Sequence, residues 1–429
     1  MVNEIETKFT NNICQQFREL MKAEKDFGMK SESEYDVQYP TGFLNIDYMN
    51  GQRIFVRLDD GRTTEYDSIG IVDGSINMFI GRSGCGKSTL AEQMASNIIR
   101  QFPMSGIFED SIEGGVTARR NEILTKFSPE EYHLRTISRN HSVNIETFYK
   151  RIKAIHDLKM NNKDNYRYDT GLLDSRGNHI YKFQPTVYIL DSLAMLRPEK
   201  MTQEEEMSGQ MSTTAAAKAI ADLFRRITPI IKASNIIVFV INHITQKIEL
   251  NPFVHTKGQN IFLKQGESLP GGVTPLYLAN NVFRLDDNTK VTDDKEFGIF
   301  GYHVDVSLVK SRTNKSGSTT EMIFNQDYGF DSTLSLYMTL KNNKMINGAG
   351  AYLYIGDRSD KKFNQKNLKE KIATDEEFRN IFIDACYSVL HNSLKSNEEY
   401  ESINNYDVSD DVLSKIYGIN EKNLSITKK

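Results

Sequence analysis

At 429 residues the chain is too long for one compact core, which predicts two or three domains. With 39% hydrophobic and 26% charged residues and a net charge of −4, its composition is that of an ordinary water-soluble globular protein. The slight acidity neither points to nor excludes nucleic acid, because a local groove outweighs the total. Three widely separated cysteines, Cys14, Cys85 and Cys386, exclude a disulfide framework and a regularly spaced zinc site, and fit a reducing compartment. No apolar run is long enough to span a bilayer and the N-terminus lacks a signal-peptide pattern, so the expectation is a cytoplasmic protein without a membrane partner.

In chain order, residues 3–27 are predicted to form one amphipathic helix, with Ile5, Phe9, Ile13, Phe17 and Leu20 recurring every three or four residues. Such a stripe must be buried, on the protein's own core or against a neighbouring subunit. After a polar break, RIFVRLDDGRTTEYDSI reads as a hairpin with Asp60-Gly61 at its turn. At 76–100, INMFI runs into GRSGCGKST and then TLAEQMASNIIRQF, the pattern of strand, glycine-rich turn and helix. A strand near 104–110 ends in FEDSIEGG, and helices are expected over 117–127 and about 144–160. The polar stretch 160–182 reads as a surface insertion. TVYILDS at 186–192 is a buried strand, 213–232 a strong helix, and NIIVFVIN a further buried strand.

Residues 244–272 have no clear period and read as a long functional loop. Strands near 281–286, 302–309 and 320–325 follow. From about 331 the pattern changes to short helices and a small sheet, with a helix at 375–392 and a polar tail beyond 395. Apolar strands alternating with helices predict an α/β fold whose mostly parallel central sheet is covered on both faces.

The chemistry centres on residues 81–89. Set between a strand and a helix, the spacing GxxxxGK[ST] predicts a phosphate-binding loop for a nucleoside triphosphate. Gly81, Gly84 and Gly86 let the backbone fold tightly, so that amides of Arg82, Ser83, Cys85 and their neighbours point into one hollow beside a helix N-terminus. Cys85 serves there as a small side chain. Lys87 is placed to reach the β- and γ-phosphates, and the Ser88 hydroxyl, followed by Thr89, to ligate Mg²⁺. Asp191, at the end of an apolar strand, suits the opposite side of the Mg²⁺ shell.

Hydrolysis needs a base or water-positioning group. Glu109, Asp110 and Glu113 are the candidates, and spacing does not choose among them. Asn242 and His243 end a strand where polar groups can touch a γ-phosphate. The long loop interleaves Phe253, His255, Lys257, Phe262 and Lys264, a pattern that suits a nucleic-acid strand. Glu204, Glu205 and Glu206 in a second loop at 197–212 would repel phosphates. Lys310 and Arg312, with Lys315 nearby, read as a DNA patch, a solvated strand end, or cations donated to a neighbour's triphosphate.

Taken in order, GRSGCGKST, TVYILDSL, ADLFRRITPIIKASNIIVFVINH, GGVTPLYLANNVFRLDD, VSLVKSRT and YGFDSTLSLYMTLKNN resemble the RecA family of recombinases, most closely the UvsX-type recombinases of tailed phages. GAGAYLYI and EEFRNIFIDAC extend the resemblance over roughly residues 40–392. It implies a RecA-like P-loop ATPase core over 36–330, an N-terminal helical oligomerisation arm over 1–35, and a small α/β C-terminal domain with a polar tail over 331–429. It further implies ATP and Mg²⁺ as cofactors. A gap-free alignment puts the catalytic glutamate at Glu113, with Glu109-Asp110 falling where the family has apolar strand residues. Arg120 stands where the family often has an adenine-stacking tyrosine. His243 matches the γ-phosphate sensor, and Lys310 and Arg312 the pair that reaches a neighbour's ATP. The segments 197–212 and 244–272, the latter with Gly271 and Gly272, match the DNA-facing loops.

The function implied is a DNA-dependent ATPase and recombinase that forms helical filaments on single-stranded DNA and catalyses pairing and strand exchange with double-stranded DNA. Single-strand-binding and mediator proteins are the further partners, and the infected bacterial cell the setting. Two alternatives stay open. One is a DnaB-type hexameric helicase, against which GGVTPLY and the C-terminal segment stand. The other is a RecA-like filament or regulatory paralogue without turnover. The hairpin near 54–66 and the insertion at 160–182 carry no assigned role.

Overall fold

The structure is a computed structural model that describes residues 36–57, 62–113, 118–139, 143–173, 177–203, 210–246, 263–264, 266–291 and 297–396. The expected N-terminal helix at 3–27, the Asp60-Gly61 turn, Glu204 to Glu206, Phe253, His255, Lys257, Phe262 and the tail beyond 396 lie outside the described residues.

The fold is mixed α/β around one nine-stranded sheet. Its strands are β1 (Ile76–Gly81), β2 (Ile107–Ser111), β3 (Thr136–Arg139), β4 (Thr186–Asp191), β5 (Ile236–His243), β6 (Asn281–Val291), β7 (Gly301–Lys310), β8 (Ser318–Asn325) and β9 (Gly329–Asp331). Their order across the sheet is β9-β8-β7-β6-β1-β5-β4-β2-β3. From β6 to β3 every neighbouring pair is parallel, and β6 to β9 continue as an antiparallel meander.

The central strands are apolar throughout because both faces are covered. Phe79, Ile189, Phe239 and Ile241 face one layer, where α1 (Lys87–Arg100) brings Leu90, Ala91 and Met94. Met78, Ile80, Leu190 and Val240 face the other, where α2 (Ile145–Asn161) brings Phe148 and Ile152 and α3 (Gln210–Ser234) brings Leu223 and Phe224. Period-two alternation thus sends successive side chains of one strand into two separate cores. Asn144 caps α2 by accepting from the Thr147 amide at 2.7 Å.

A third core lies beyond the meander. There α4 (Ser332–Asn342) and α5 (Glu376–His391) pack Leu334, Tyr337, Phe378 and Phe382 with Ile323 of β8. Asp331 and Asp375 cap these two helices through the amides of Leu334 and Phe378. No helix among the described residues is long and apolar enough to cross a membrane.

The stretch 197–212, read as a loop, contains a short helix, Glu199–Gln203, and the start of α3, and two strand-forming stretches also differ from the sequence reading. The polar stretch 160–182 contains most of an antiparallel hairpin, Arg167–Leu173 with His179–Phe183, with one exposed face and one that turns Tyr168, Leu172 and Ile180 inward. Tyr168 anchors it, donating to the Tyr39 hydroxyl at 2.9 Å and packing edge-on to Phe102. The edge strand β3, Thr-Ile-Ser-Arg, is too short to show a period. The other hairpin, Gln52–Arg57 with Thr63–Ser68, gains Lys395–Ser396 as a parallel third strand and so ties the end of α5 back to the core.

Asn235 joins these layers at the turn between α3 and β5. Its φ of 50° is left-handed. Its Oδ1 accepts from the Gly74 amide at 3.0 Å, and its Nδ2 donates to the Tyr39 hydroxyl at 2.7 Å and the Phe183 carbonyl at 2.6 Å. Asn235→Ala should cost about 3–4 kcal/mol, summing lost bonds to buried partners and the loss of asparagine's better tolerance of the left-handed region. Urea unfolding measures it, and a loss below about 1 kcal/mol would mean that water or repacking replaces all three bonds.

Candidate functional site

Open α/β sheets place ligands outside the carboxyl ends of parallel strands, where the strand order reverses. Here β1 lies between β5 and β6 while the chain leaves it for β2, three places away. Residues 81–89 sit at that end. Gly84 has φ +83° with open space around it, and Gly86, at φ +89°, begins α1 without a side-chain cap. A side chain at Gly86 would also meet the Phe330 ring at 2.9 Å. The first amides of α1 therefore have no side-chain acceptor and are available to an anion.

Arg82, Ser83 and Gly84 are exposed, and Cys85 is buried with its thiol on the Arg82 carbonyl at 3.0 Å. Lys87, almost wholly buried, donates to the same carbonyl at 2.6 Å. Thr89 turns away toward Gly329.

Three strand ends and the start of α1 converge beside this loop. Ser88 donates to Asp191 Oδ2 at 2.6 Å. Glu113, two residues past β2, accepts from the Ser192 hydroxyl through one oxygen and meets His243 Nε2 at 3.0 Å through the other. Ligand atoms of Glu113, Asp191 and His243 all lie within 4.8 Å of one another. Burial raises the Asp191 carboxyl above its ordinary range, Glu113 adds to the rise, and the Ser88 bond opposes it. A cation among these oxygens would relieve that cost. The oxygens of Ser88 and Asp191 form a hard-donor pair that suits Mg²⁺, which takes few protein ligands and keeps its water. Asn242 stays behind the site, donating to the Pro270 carbonyl at 2.9 Å.

The other two acidic candidates point elsewhere. Alternation along β2 sends Glu109 to the α1 side, where it accepts from Ser138 at 2.5 Å and faces buried Glu92. Burial raises both carboxyls; Glu109 adds to the rise at Glu92, while bonds from Ser138 and Glu92 oppose it at Glu109, so the pair favours holding a proton. Asp110 turns to the α2 side and is held by Arg151 and the Tyr188 hydroxyl. Of the three, Glu113 alone reaches the constellation.

Lys310 and Arg312 do not join it. Lys310 pairs with Val282, which pairs with Met78, so they lie toward the amino end of β1, about 10 Å back along the strand from Gly81. Lys310 donates to the carbonyls of Leu276, Tyr277 and Ala279, and Arg312 to that of Tyr277. Burial, with Arg312 nearby, lowers the Lys310 ammonium to about 8.

Arg120 reaches the Asp327 carbonyl in the β8–β9 turn. Lys264 is exposed, 3.4 Å from Asp286. Gly271 and Gly272 adopt positive φ, with Gly271 close against Leu193. Sequence reading had not singled out Ser192 or Glu92, because each matters only through a partner about 80 or 17 positions away.

The fold and this arrangement define a mixed α/β protein with a polar constellation at the carboxyl edge of a largely parallel sheet. No family model matches the sequence. Over 161 residues, 38% of this chain, it is 29% identical to a protein of Enterobacteria phage T4 described as a "Recombination and repair protein". That match spans 36% of the phage protein's length.

Proposed function

We propose that the chain is a RecA-like, DNA-dependent ATPase acting in recombination and repair, which polymerises on single-stranded DNA and promotes pairing and strand exchange with a duplex. The observation that carries this reading is the meeting of Ser88, Asp191, Glu113 and His243 beside an uncapped, glycine-rich helix start. The likeness to a phage recombination and repair protein supports the biological setting.

Bound Mg²⁺-ATP supplies the phosphoryl group and neutralises part of its charge. The chain's own residues do the rest. Amides of residues 81–89 and Lys87 would hold the phosphates, Ser88 and Asp191 would hold the metal, and Arg120 would contact the adenine. Glu113, oriented by Ser192 and His243, positions water and takes its proton. His243 reads the γ-phosphate.

Lys310 and Arg312, remote from this constellation within one chain, serve the triphosphate of an adjacent copy, which makes the filament part of the active site. DNA is held by residues of the segments around 197–212 and 244–272, namely Phe253, His255, Lys257, Phe262, Lys264, Gly271 and Gly272. Contacts to the DNA backbone dominate, so affinity falls steeply with salt. Single-strand-binding and mediator proteins are further partners.

The test compares ATP hydrolysis with and without single-stranded DNA and images the same mixture by electron microscopy. DNA-stimulated hydrolysis and open helical filaments are expected. No stimulation and no filaments would overturn the reading, and closed rings would favour a hexameric helicase.

A further inference from the structure

Arg284 occupies β6 directly opposite Ile80, the residue before Gly81. The next residue, Leu285, sets its carbonyl 2.4 Å from where a Gly81 side chain would begin. This part of β6 therefore packs against the root of the glycine-rich loop. The Arg284 side chain is only 6% exposed, and its guanidinium is committed on two sides. Nη1 and Nη2 donate to the two oxygens of Glu267 at 2.6 and 2.8 Å, a bidentate fork. Nε and Nη2 donate to Asp286 at 2.8 and 3.1 Å.

Glu267 has a position of its own. Its carboxylate also accepts from the Lys264 amide at 2.7 Å, and it pairs with Gln246 in a two-stranded ladder, Thr245–Gln246 with Glu267–Ser268. That ladder begins two residues past His243, and the Ile244 amide between them donates to the Gly81 carbonyl at 3.1 Å. It brackets residues 247–266. One buried guanidinium thus connects the strand supporting the glycine-rich loop with the stem of the segment that carries Phe253, His255 and Lys257. The guanidinium holds the Glu267 carboxyl below its ordinary range, so the pair is ionised at neutral pH.

We propose that Arg284 is a positioning residue that couples the two ends of the function proposed above: through its fork on Glu267 it fixes the ladder relative to β6, so that DNA engagement alters the rate at the nucleotide site. The inference rests on that function. Arg284 and Glu267 themselves contact neither nucleotide nor DNA. They set the relation between the parts that do. A lysine cannot replace the fork, because an ammonium is a point donor and the Glu267 carboxylate requires two parallel bonds.

The experiment uses the full-length protein with poly(dT) as the single-stranded probe and follows three quantities: hydrolysis without DNA, poly(dT) affinity, and the ratio of DNA-stimulated to basal rate. Arg284→Lys and Glu267→Gln should each leave basal hydrolysis and affinity within about threefold of wild type while lowering the stimulation ratio about tenfold, within the usual range of coupling between sites. Breaking one side of a buried pair risks misfolding, so the reversed pair Arg284→Glu/Glu267→Arg is the second arm, with recovery of at least half the stimulation expected. Thermal melts accompany all variants.

Wild-type stimulation retained in both single variants would overturn the inference and leave the proposed function standing. So would a parallel fall in basal rate, affinity and stimulation that the reversed pair does not reverse, since that is the signature of a structural ion pair. A wild-type protein that ignores poly(dT) altogether would overturn the proposed function, and the inference with it.

Discussion

Glu113→Gln should lower the turnover of ATP by about 10²–10⁴-fold while leaving nucleotide affinity nearly unchanged. The size follows from what a positioned general base contributes. Glutamine keeps the shape of the side chain and an oxygen for the Ser192 hydroxyl, but it has no basicity to receive a proton from water. The proposed phosphate and metal holders, Lys87, Ser88 and Asp191, are untouched, so the loss should fall on kcat and spare binding. Steady-state hydrolysis together with equilibrium binding of a fluorescent ATP analogue separates the two. A variant that turns over normally would remove Glu113 from the mechanism. No carboxylate of β2 could then stand in, since Glu109 is engaged with Ser138 and Glu92, and Asp110 with Arg151 and Tyr188.

That assignment marks how far the sequence could be read. The strand–loop–helix at 76–100 was legible because its signal is local: an apolar run, glycines at fixed offsets, then a helical period. So were the strands at 186–191 and 236–243, whose unbroken apolar runs are what a strand buried on both faces requires. The choice among Glu109, Asp110 and Glu113 was not legible from spacing, because it depends on which face of β2 each residue takes and on which distant side chain waits there. Glu92 on α1 and Arg151 on α2 decide it, and neither is near in sequence.

The acidic pair that departs from the family pattern proves to be two unrelated buried anchors, one on each face of the sheet. The polar hairpin at 167–183 was obscured for the opposite reason: the face it turns inward carries only a few apolar residues, Tyr168, Leu172 and Ile180, among polar ones, too few to stand out as a hydrophobic alternation. The separation of Lys310 and Arg312 from the other site residues is a matter of sheet register alone. Lys310 is set beside Val282 and Met78 by hydrogen-bond pairing, and nothing in its local sequence records that.

Asp47→Asn should flatten the dependence of stability on pH and raise stability in mildly alkaline solution. Asp47 lies in the short helix Leu44–Met49 and is wholly buried. Its Oδ1 accepts from the Thr41 amide at 2.9 Å and the Thr41 hydroxyl at 2.7 Å. Burial raises its pKa from 3.8 to about 7, with the bonds from Thr41 and Gly42 pulling the other way. A carboxyl raised in the folded state binds its proton more tightly there than in the unfolded chain. It therefore contributes stability that is fully present below pH 3.8 and is lost as pH rises through about 7.

The rise of about three units, at 1.36 kcal/mol each, makes this contribution of the order of 4 kcal/mol, most of it lost between pH 4 and 7. An amide cannot ionise, so Asp47→Asn carries no such loss. The difference in unfolding free energy between wild type and variant should shift by roughly 2–3 kcal/mol in favour of the variant between pH 5 and pH 8. Urea unfolding of both proteins at the two pH values measures the shift, and the comparison cancels the buried Glu92 and Glu109, which both proteins share. Parallel pH profiles would mean that Asp47 is ionised in the folded protein throughout, its charge carried by the Thr41 and Gly42 donors against the cost of burial.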